Sequence, residues 1–442
     1  MKAKLIPLYF LINAGLFFLS CSGNVKNTVS DKGIEQTDSC TSSPSTSYQV
    51  FIPKSEEHCS DLSLLLIIDP HGNGKLSINK FRMAARQFNC MVLASNTIKN
   101  GTREYVNVMN LLIDDARKKY PVGKRLLVAG FSGGARMVLS YSQYFPVDGI
   151  ISCGALASAD ELGKIKSPVM CIVGLGDFNF IEAAQYIFNP EQAPVNLSLE
   201  FTKNSHEWPS STTLNNALGL LYLKQNNKTE CPLITQHLKS YKKDQEERFD
   251  SLLKSDQPIE ACLLARNVSK IDDKTLKKRL DELEYSHEFN NALDQLRESI
   301  RFELAVRNAY YQALQNEDFD WWKKEIASLD KNLETEQDYY KKYALKRVRG
   351  FLGIMCYSLS NNSLRNNDLV STEKLLGVYR ILEPENPDMY YFTALFAYKT
   401  HHADHATELL AEAFKAGFSD YSQAKTDFPE NIISSVLPKT KN

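Results

Sequence analysis

The sequence predicts an α/β fold with a doubly wound, mostly parallel sheet, followed by an all-α region. From about residue 48 to residue 225, short apolar runs alternate with amphipathic segments. This alternation is typical of parallel sheets whose crossover helices cover both faces. Beyond residue 226 the strand patterns disappear and helical periodicity takes their place. We therefore predict an α/β domain over residues 48–225 and a helical domain over residues 226–442.

Composition narrows the classes of partner. The 442 residues include 52 Lys and Arg against 53 Asp and Glu, so no basic field favours nucleic acid. None of the nine cysteines stands in a Cys-X-X-Cys pair, so neither a zinc pattern nor a redox dithiol is predicted. We expect no metal, no cofactor and no nucleic-acid partner.

The N-terminus predicts export. Two lysines precede an apolar run at residues 5–19, which is typical of a signal peptide over residues 1–20 and is short for a membrane span. The run ends at Cys21 and resembles the lipobox of bacterial lipoproteins, although Phe18 stands where leucine is favoured. The resemblance implies a lipid on Cys21 as the sole membrane contact, and a place in the bacterial cell envelope, either periplasmic or surface-exposed. Ordinary cleavage near the same point would instead give a secreted protein.

The segment after the cysteine predicts a tether. Residues 21–47 are rich in Ser, Thr, Asp and Asn and hold few large apolar side chains, so they are expected to stay flexible. Ordered structure is expected to begin near Tyr48. In an oxidising compartment Cys40 and Cys59 are candidates for a disulfide, which nothing in the sequence settles.

Six apolar runs predict the strands of the sheet. They lie at residues 64–68, 91–94, 126–129, 149–152, 169–173 and 197–201. Helical spacing falls between them at residues 77–88, 106–120, 135–144, 180–187 and 214–223. Ligand sites in such sheets form at the carboxyl ends of the strands, so the residues just after each strand are the candidates for function.

The helical domain has one recognisable unit. Helices are predicted at residues 244–254, 274–284, 288–315, 321–333, 336–359, 372–382 and 387–415. The last segment resembles a tetratricopeptide repeat, because Ala394, Ala397 and Ala406 are small where two helices must approach, and Leu410 and Ala413 complete the pattern. An irregular helical bundle is the alternative. A protein partner is expected to bind this domain.

A Gly-Phe-Ser-Gly-Gly run at residues 130–134 stands between a predicted strand and a predicted helix. A serine at such a turn adopts a strained backbone that lifts its hydroxyl above the sheet, and glycines are needed around it. We predict that Ser132 is a nucleophile. The alternative is a glycine-rich turn that serves packing alone.

A serine hydroxyl needs a base, which is itself oriented by a carboxylate. Asp177 directly follows the strand at residues 169–173, and His206 follows the last strand. We predict these two as acid and base. Asp160 and Glu161 lie further from a strand end, and helix capping is the alternative role for Asp177.

The oxyanion of an acyl-transfer intermediate needs hydrogen-bond donors. One is predicted to be the backbone N–H of Gly133. The other is expected from Gly72 or Asn73, in a His-Gly-Asn-Gly loop at residues 71–74 that follows the first predicted strand.

Three further side chains beside these segments, His71, Phe131 and Trp208, are expected to line the substrate pocket. His71 as a base with Asp114 is disfavoured, because Asp114 falls within a predicted helix; His71 is expected to brace its loop. The cluster of His401, His402 and His405 is expected to be a solvated helix corner.

Taken together, HGNG at 71–74, GFSGG at 130–134, GLGD at 174–177 and SHEWP at 205–209 resemble the α/β-hydrolase superfamily, particularly its feruloyl-esterase, polyhydroxybutyrate-depolymerase and dienelactone-hydrolase-like branches. The resemblance covers residues 48–224. It implies a serine hydrolase that cleaves carboxylic esters without a cofactor, with a small-molecule or polysaccharide ester as substrate. The alternatives are a serine peptidase of the same fold and an inert scaffold whose helices bind a partner. No lid insertion separates residues 149 and 169, so the pocket is expected to be open or covered by the helical domain.

Overall fold

The computed structural model describes residues 33–54, 62–225, 231–269 and 274–436. The strands are β1 (Gly33–Cys40), β2 (Ser43–Pro53), β3 (Leu62–Ile68), β4 (Cys90–Ser95), β5 (Val122–Phe131), β6 (Gly149–Cys153), β7 (Val169–Gly174) and β8 (Leu197–Thr202). The helices among them are α1 (Gly74–Gln87), α2 (Tyr105–Lys119), α3 (Gly133–Ser142), α4 (Ala159–Lys164), α5 (Phe180–Phe188) and α6 (Ser211–Lys224). The remaining helices are α7 (Pro232–Lys254), α8 (Pro258–Ser269), α9 (Lys274–Glu284), α10 (His287–Asn316), α11 (Phe319–Thr335), α12 (Tyr339–Arg365), α13 (Leu369–Leu382), α14 (Pro387–Lys399), α15 (Ala403–Ala416), α16 (Tyr421–Asp427) and α17 (Glu430–Val436).

The sheet has eight strands in the order β1-β2-β4-β3-β5-β6-β7-β8. The strands from β4 to β8 in this order are parallel, whereas β1 with β2 and β2 with β4 are antiparallel. The prediction of a mostly parallel α/β sheet followed by an all-helical region is confirmed, and all six predicted strands form. The expected signal peptide and Cys21 lie outside the described residues.

The strands at the centre of the sheet are apolar because helices cover both of their faces. Every residue of β3, β4, β6 and β7 is buried, as expected for parallel strands packed on both sides. The helix α1 packs against β4 and also against α6, which closes the sheet region. The carboxyl ends of the central strands therefore form one rigid edge, and the turns after β3, β5 and β7 leave from that edge.

The expectation of a flexible tether up to residue 47 is wrong for residues 33–47. β1 pairs along the full length of β2 in an antiparallel hairpin, and β2 extends the sheet by pairing with β4. In β2, Thr46, Tyr48 and Val50 are buried on one face of the strand, and Phe51 and Pro53 are buried on the other. Most of β1 is exposed. The polar composition that predicted a tether belongs to an edge hairpin, whose outer strand β1 is mostly exposed to solvent.

A single buried carboxylate in α2 anchors this hairpin. Asp115 accepts hydrogen bonds from the Thr41 N–H (2.8 Å), the Thr41 hydroxyl (2.9 Å) and the Tyr48 hydroxyl (2.7 Å). It also pairs with Lys119 at 2.9 Å. Burial alone would raise the pKa of Asp115, but the hydrogen bonds from Thr41, Tyr48 and Lys119 outweigh it and hold that pKa at about 2.

We expect Asp115→Asn to lower the free energy of unfolding by about 2 kcal/mol at neutral pH. A depressed carboxyl pKa contributes stability that is present above the ordinary value of 3.8 and is lost as the pH falls through about 2. The difference in the free energy of unfolding between wild type and Asp115→Asn, measured by urea titration, should therefore narrow as the pH falls over that range. Asp114→Asn, at the exposed neighbouring position, is the control and should change the free energy of unfolding little. A difference in the free energy of unfolding that stays the same down to pH about 2 would contradict this role of Asp115.

The hydrophobic core does not divide at residue 225. One cluster of buried apolar side chains runs from the hairpin through the sheet and continues through α7, α8 and α9 to Leu296 in α10 and to Tyr340 and Tyr343 at the start of α12. A second cluster begins at Tyr310. The helix α8 lies along the edge strand β8, where the Asn267 amide donates to the Leu199 carbonyl (2.8 Å) and accepts from the Leu199 N–H (3.3 Å). The first helices thus cover a sheet edge that would otherwise be open.

The predicted helix pair near the C-terminus forms a hairpin of α14 and α15, with Ala394, Ala406 and Ala413 buried between them. Its assignment to the tetratricopeptide type stays a prediction. The helices α4, α8, α16 and α17 were not predicted from the sequence. Within the described ranges, no helix is both long enough and apolar enough to cross a membrane.

The cysteine pairing differs from the candidate pair. Cys40 is a free, buried thiol, so a disulfide between Cys40 and Cys59 is wrong. Cys231, which precedes α7, is disulfide-bonded. Cys59, like Cys21, lies outside the described residues.

Candidate active site

The residue at the junction of β5 and α3 has an unusual backbone. Ser132 has φ 51° and ψ −120°, a conformation that residues with a Cβ rarely adopt. Its N–H donates to the Cys153 carbonyl at 2.8 Å, which ties the turn to the end of β6. A Cβ on Gly134 would lie 2.1 Å from the carbonyl oxygen of Ile68. The chain therefore needs glycine where the turn passes over β3.

We expect Gly134→Ala to yield little folded protein, because the added methyl group meets backbone atoms of a central strand that cannot move aside. Gly163→Ala is the matched control: Gly163 lies in α4 and a Cβ there meets nothing within 4 Å. Thermal unfolding and the yield of soluble protein measure both. Equal yields and equal midpoints of thermal unfolding for the two variants would show that the turn can accommodate a methyl group at residue 134.

The three predicted side chains meet at the carboxyl edge of the sheet. His206 Nε2 lies 2.9 Å from Ser132 Oγ, and His206 Nδ1 lies 2.9 Å from each carboxylate oxygen of Asp177. Since a carboxylate only accepts, Nδ1 carries the proton and Nε2 is free to accept from the serine hydroxyl. The carboxylate is 1% exposed and the imidazole 19%, so the acid is buried and the base faces the site. This is the geometry of a serine nucleophile, a base and its orienting acid.

The turn after β7 holds Asp177 in place. Asp177 Oδ1 accepts the N–H of Asn179 at 2.8 Å, and the Asn179 side chain donates to the Gly154 carbonyl at 2.8 Å. The imidazole of His206 packs between two aromatic rings, Phe131 at 4.7 Å and Phe178 at 4.1 Å between centroids. Acid and base are thus restrained from different elements.

The loop after β3 is organised by Asp69, which the sequence reading did not single out. Its carboxylate accepts the N–H of Asn73 (3.2 Å) and the indole N–H of Trp208 (2.8 Å), and its carbonyl accepts the N–H of Gly72 (3.0 Å). Both predicted loop donors are therefore engaged by Asp69 in this conformation. The role of Gly72 or Asn73 as second oxyanion donor stays a prediction that requires Asp69 to release one of them.

Gly133 suits the role predicted for it. Its N–H is the first of α3, and no hydrogen bond within the described residues engages it. A helix N-terminus also favours negative charge. Asn100 lies beside it: a Cβ on Gly133 would come 1.9 Å from Asn100 Oδ1, and the Asn100 N–H donates to the Pro70 carbonyl at 2.7 Å. Asn100 sits in a polar loop between β4 and α2, where no sequence signal marks it.

The residues predicted to line the pocket have different positions. Trp208 and Phe131 are 5% and 7% exposed, and their rings pack together at 5.3 Å beneath the loop. The two rings therefore support the site from within the core and do not line the pocket. The indole N–H of Trp208 donates to the buried carboxylate of Asp69. The His71 side chain is 74% exposed, so Asp69 and Trp208 brace the loop instead.

The other candidates stay apart from this site. Glu161 forms a capping box with Ser158 at the start of α4, and Asp114 is an exposed position of α2. Within the described ranges, no group of three or more His, Cys, Asp or Glu side chains could hold a metal ion. Burial raises the pKa of the Cys153 and Cys171 thiols well above their usual range, so neither is a thiolate that competes with Ser132.

The helical region borders the site on two sides. Near the loop after β4, Lys99 pairs with Asp420 at 2.6 Å. Near the turn that carries Asp177, Arg347 donates to the Leu175 carbonyl at 2.6 Å and Arg307 to the Phe178 carbonyl at 2.7 Å. The helices therefore flank the site, and the two expectations for the pocket, open or covered by the helical domain, stay predictions.

The chain matches no protein-family model, and no curated protein matches it. Solved structures that resemble it include S-formylglutathione hydrolase (FrmB) from Staphylococcus aureus, at 12% identity over 44% of this chain and 96% of that one with a TM-score of 0.35. Est1E from Butyrivibrio proteoclasticus is similar at 12% identity over 43% and 98%, with a TM-score of 0.35. Esterase B from Lactobacillus rhamnosis matches at 13% identity over 45% and 89%, with a TM-score of 0.36. At these values the comparisons say nothing about the activity of this chain.

Proposed function

We propose that this protein is a serine hydrolase that cleaves carboxylic esters through an acyl-enzyme on Ser132. The observation that carries the proposal is the unbroken hydrogen-bonded series from Ser132 Oγ through both nitrogens of His206 to Asp177, with each link at 2.9 Å. The strained backbone of Ser132 supports it, and so does the N–H of Gly133, which has no hydrogen-bond acceptor among the described residues. A packing role for the glycine-rich turn would need neither the imidazole nor the buried carboxylate.

In the acylation step, Ser132 Oγ attacks the ester carbonyl while His206 Nε2 takes the hydroxyl proton. The carbonyl oxygen becomes an oxyanion, which the N–H of Gly133 stabilises at the positive end of α3. Asp177 stabilises the imidazolium that forms. His206 then returns the proton to the departing alkoxide, and the acyl group stays on Ser132.

In the deacylation step, water takes the place of the leaving alcohol. His206 Nε2 removes a proton from the water as it attacks the acyl carbonyl, and the second oxyanion occupies the same position beside Gly133. Collapse returns the proton to Ser132 Oγ and releases a carboxylic acid. The same groups therefore serve both halves of the reaction, and no redox step is involved.

A fluorophosphonate probe tests the proposal, because it forms a stable adduct only with an activated serine. We expect the full chain to be labelled on Ser132, as located by peptide mass spectrometry, and to hydrolyse p-nitrophenyl acetate. Turnover of short peptide p-nitroanilides without ester turnover would favour the peptidase alternative. A chain that is folded, unlabelled and inert toward both substrates would favour the scaffold alternative and end the proposal.

We also propose that the protein is exported and carries a lipid on Cys21. The basic and apolar N-terminal pattern supports this, and so does the disulfide at Cys231, since disulfides persist in oxidising compartments. Metabolic labelling with a fatty-acid analogue in a bacterial host should modify the wild type and spare Cys21→Ser. Equal labelling of the two would place the lipid elsewhere, and no labelling of either would indicate a protein without a lipid anchor.

A further inference from the structure

Three charged side chains of the helical region are buried against the turn that carries Asp177. Glu303 and Arg307 lie on α10, and Arg347 lies on α12. Glu303 and Arg347 have no exposed side-chain surface, and Arg307 is 14% exposed. No sequence signal connects these residues with the site, because they follow Asp177 by more than a hundred positions.

One carboxylate holds both guanidinium groups. Arg347 Nε donates to Glu303 Oε2 at 2.5 Å, and Arg307 Nη2 lies 2.5 Å from Glu303 Oε1. Aromatic rings cover the outer faces of the guanidinium planes: Phe180 lies 4.7 Å from that of Arg347, and Phe351 lies 4.4 Å from that of Arg307. The two arginines are thereby fixed in direction.

The two arginines also donate hydrogen bonds to backbone carbonyls on either side of Asp177. Arg347 Nη1 donates to the Leu175 carbonyl at 2.6 Å, and Arg307 Nη2 donates to the Phe178 carbonyl at 2.7 Å. These carbonyls precede and follow Asp177 in the chain. Phe178 also places its ring 4.1 Å from that of His206. The turn is thus held at two points by groups whose own positions Glu303 determines.

Stability by itself does not account for three buried charges. Burial raises the pKa of Glu303 and lowers the pKa values of Arg347 and Arg307, as the loss of hydration requires. Apolar side chains of similar volume often stabilise a core as well as a buried ion pair does. Only donors of fixed direction can hold two backbone carbonyls, and two guanidiniums against one carboxylate place an excess of positive charge near Asp177.

We propose that Arg347 and Arg307, oriented by Glu303, are positioning residues for Asp177, so that the helical region completes the active site. The proposal rests on the proposed function for its catalytic consequence. It assigns α10 and α12 a role in the reaction, in addition to any role in binding a partner. Neither arginine contacts the substrate or transfers a proton.

The test uses full-length variants with p-nitrophenyl acetate as substrate. In Arg307→Met and Arg347→Met we expect kcat to fall about 10- to 100-fold with little change in KM, the loss that a misplaced catalytic group produces. Arg307→Lys keeps one donor and should retain more of kcat than Arg307→Met. Circular dichroism shows which variants fold. If Arg347→Met does not fold, the kcat of Arg307→Met tests the proposal, because Arg307 is the partly exposed member of the three charged residues.

The matched control is Arg349→Met on the same helix. Arg349 Nε donates to Asp330 at 2.7 Å and its Nη2 donates to the Leu382 carbonyl at 2.9 Å, all within the helical region. It therefore has the same kind of bonds without a contact to the turn at Asp177, and should keep the wild-type kcat. A folded Arg307→Met with wild-type kcat, or an equal loss in Arg349→Met, would overturn the proposal.

A readout without substrate separates this proposal from the proposed function. The Nδ1 proton of His206, held by Asp177, should give a resolved downfield proton NMR signal in the wild type and in Arg349→Met. We expect the signal to broaden or vanish in Arg307→Met, because the turn no longer keeps the carboxylate in place. A wild type that turns over no ester would refute the proposed function alone. A signal unchanged in Arg307→Met would refute the positioning role, whatever the kcat.

Discussion

Ser132→Ala is expected to lower kcat for ester hydrolysis by about 10⁴-fold or more, since removing the nucleophile of such a triad leaves only binding and oxyanion stabilisation. The Ser132 hydroxyl, 2.9 Å from His206 Nε2, is the group on which the proposed acyl-enzyme forms. Labelling by the fluorophosphonate probe should vanish with it. The backbone need not change, because alanine keeps the same Cβ at the strained position.

Ser142→Ala is the control for this loss. Ser142 lies on α3, and its buried hydroxyl donates to the Val138 carbonyl at 2.7 Å within the helix. Its removal takes a hydroxyl from the same helix without touching the triad. Wild-type kcat is expected for the control, measured with p-nitrophenyl acetate beside Ser132→Ala. Residual labelling of Ser132→Ala at the wild-type rate would mean that another residue is the nucleophile.

Asp177→Asn is expected to lower kcat by about 10⁴-fold while the fold is retained. An amide nitrogen facing His206 Nδ1 would donate, so the imidazole proton would move to Nε2 and the base would lose its free lone pair. The amide oxygen can still accept the Asn179 N–H, which the carboxylate accepts at 2.8 Å. The turn should therefore keep its shape, and the loss should appear in kcat with a normal thermal midpoint.

Asp148→Asn makes the same change from carboxylate to amide at another aspartate that accepts a hydrogen bond from the sheet. Asp148 accepts the N–H of Leu126 at 2.7 Å, in the middle of β5 and five residues before Phe131, where the strand ends next to Ser132. It should leave kcat unchanged. Comparable losses in Asp177→Asn and Asp148→Asn would indicate that the effect arises from the sheet in general and not from the tautomer of His206.

The helical region affects how the chain should be divided. Its first helices share a core with the sheet and cover the β8 edge through Asn267, and α10 and α12 reach the turn at Asp177. A cut at residue 225, which the sequence favours as a boundary, would expose that core and free the turn. Binding of a protein partner by the helices stays a prediction.

Much of the sheet could be predicted because each of its parallel strands carries an apolar run. A run such as β3, buried at every position, has no other stable place than between two helical layers. The hairpin of β1 and β2 could not be predicted from such a run, since its outer strand β1 is polar and exposed and its anchor, Asp115, lies in α2. Composition alone does not distinguish an edge hairpin from a tether.

The candidate triad was predictable for a topological reason. Parallel strands all end at one edge, so Ser132, Asp177 and His206, each following a strand, are brought close by the sheet itself. The groups that support them follow no such rule. Asp69 beneath the loop, Asn100 beside Gly133 and Arg347 from α12 reach the site through packing, and their sequence neighbours do not mark them.

The amino-acid sequence by itself therefore determined the layered sheet and the three side chains at its edge, because local periodicity and the direction of parallel strands are enough to place them. Tertiary structure alone decided what surrounds those side chains. The loop donors engaged by Asp69, the buried rings of Phe131 and Trp208, and the arginines on both sides of Asp177 depend on contacts between segments far apart in the chain. Such contacts form only when the helices pack against the sheet, and no short-range pattern encodes them.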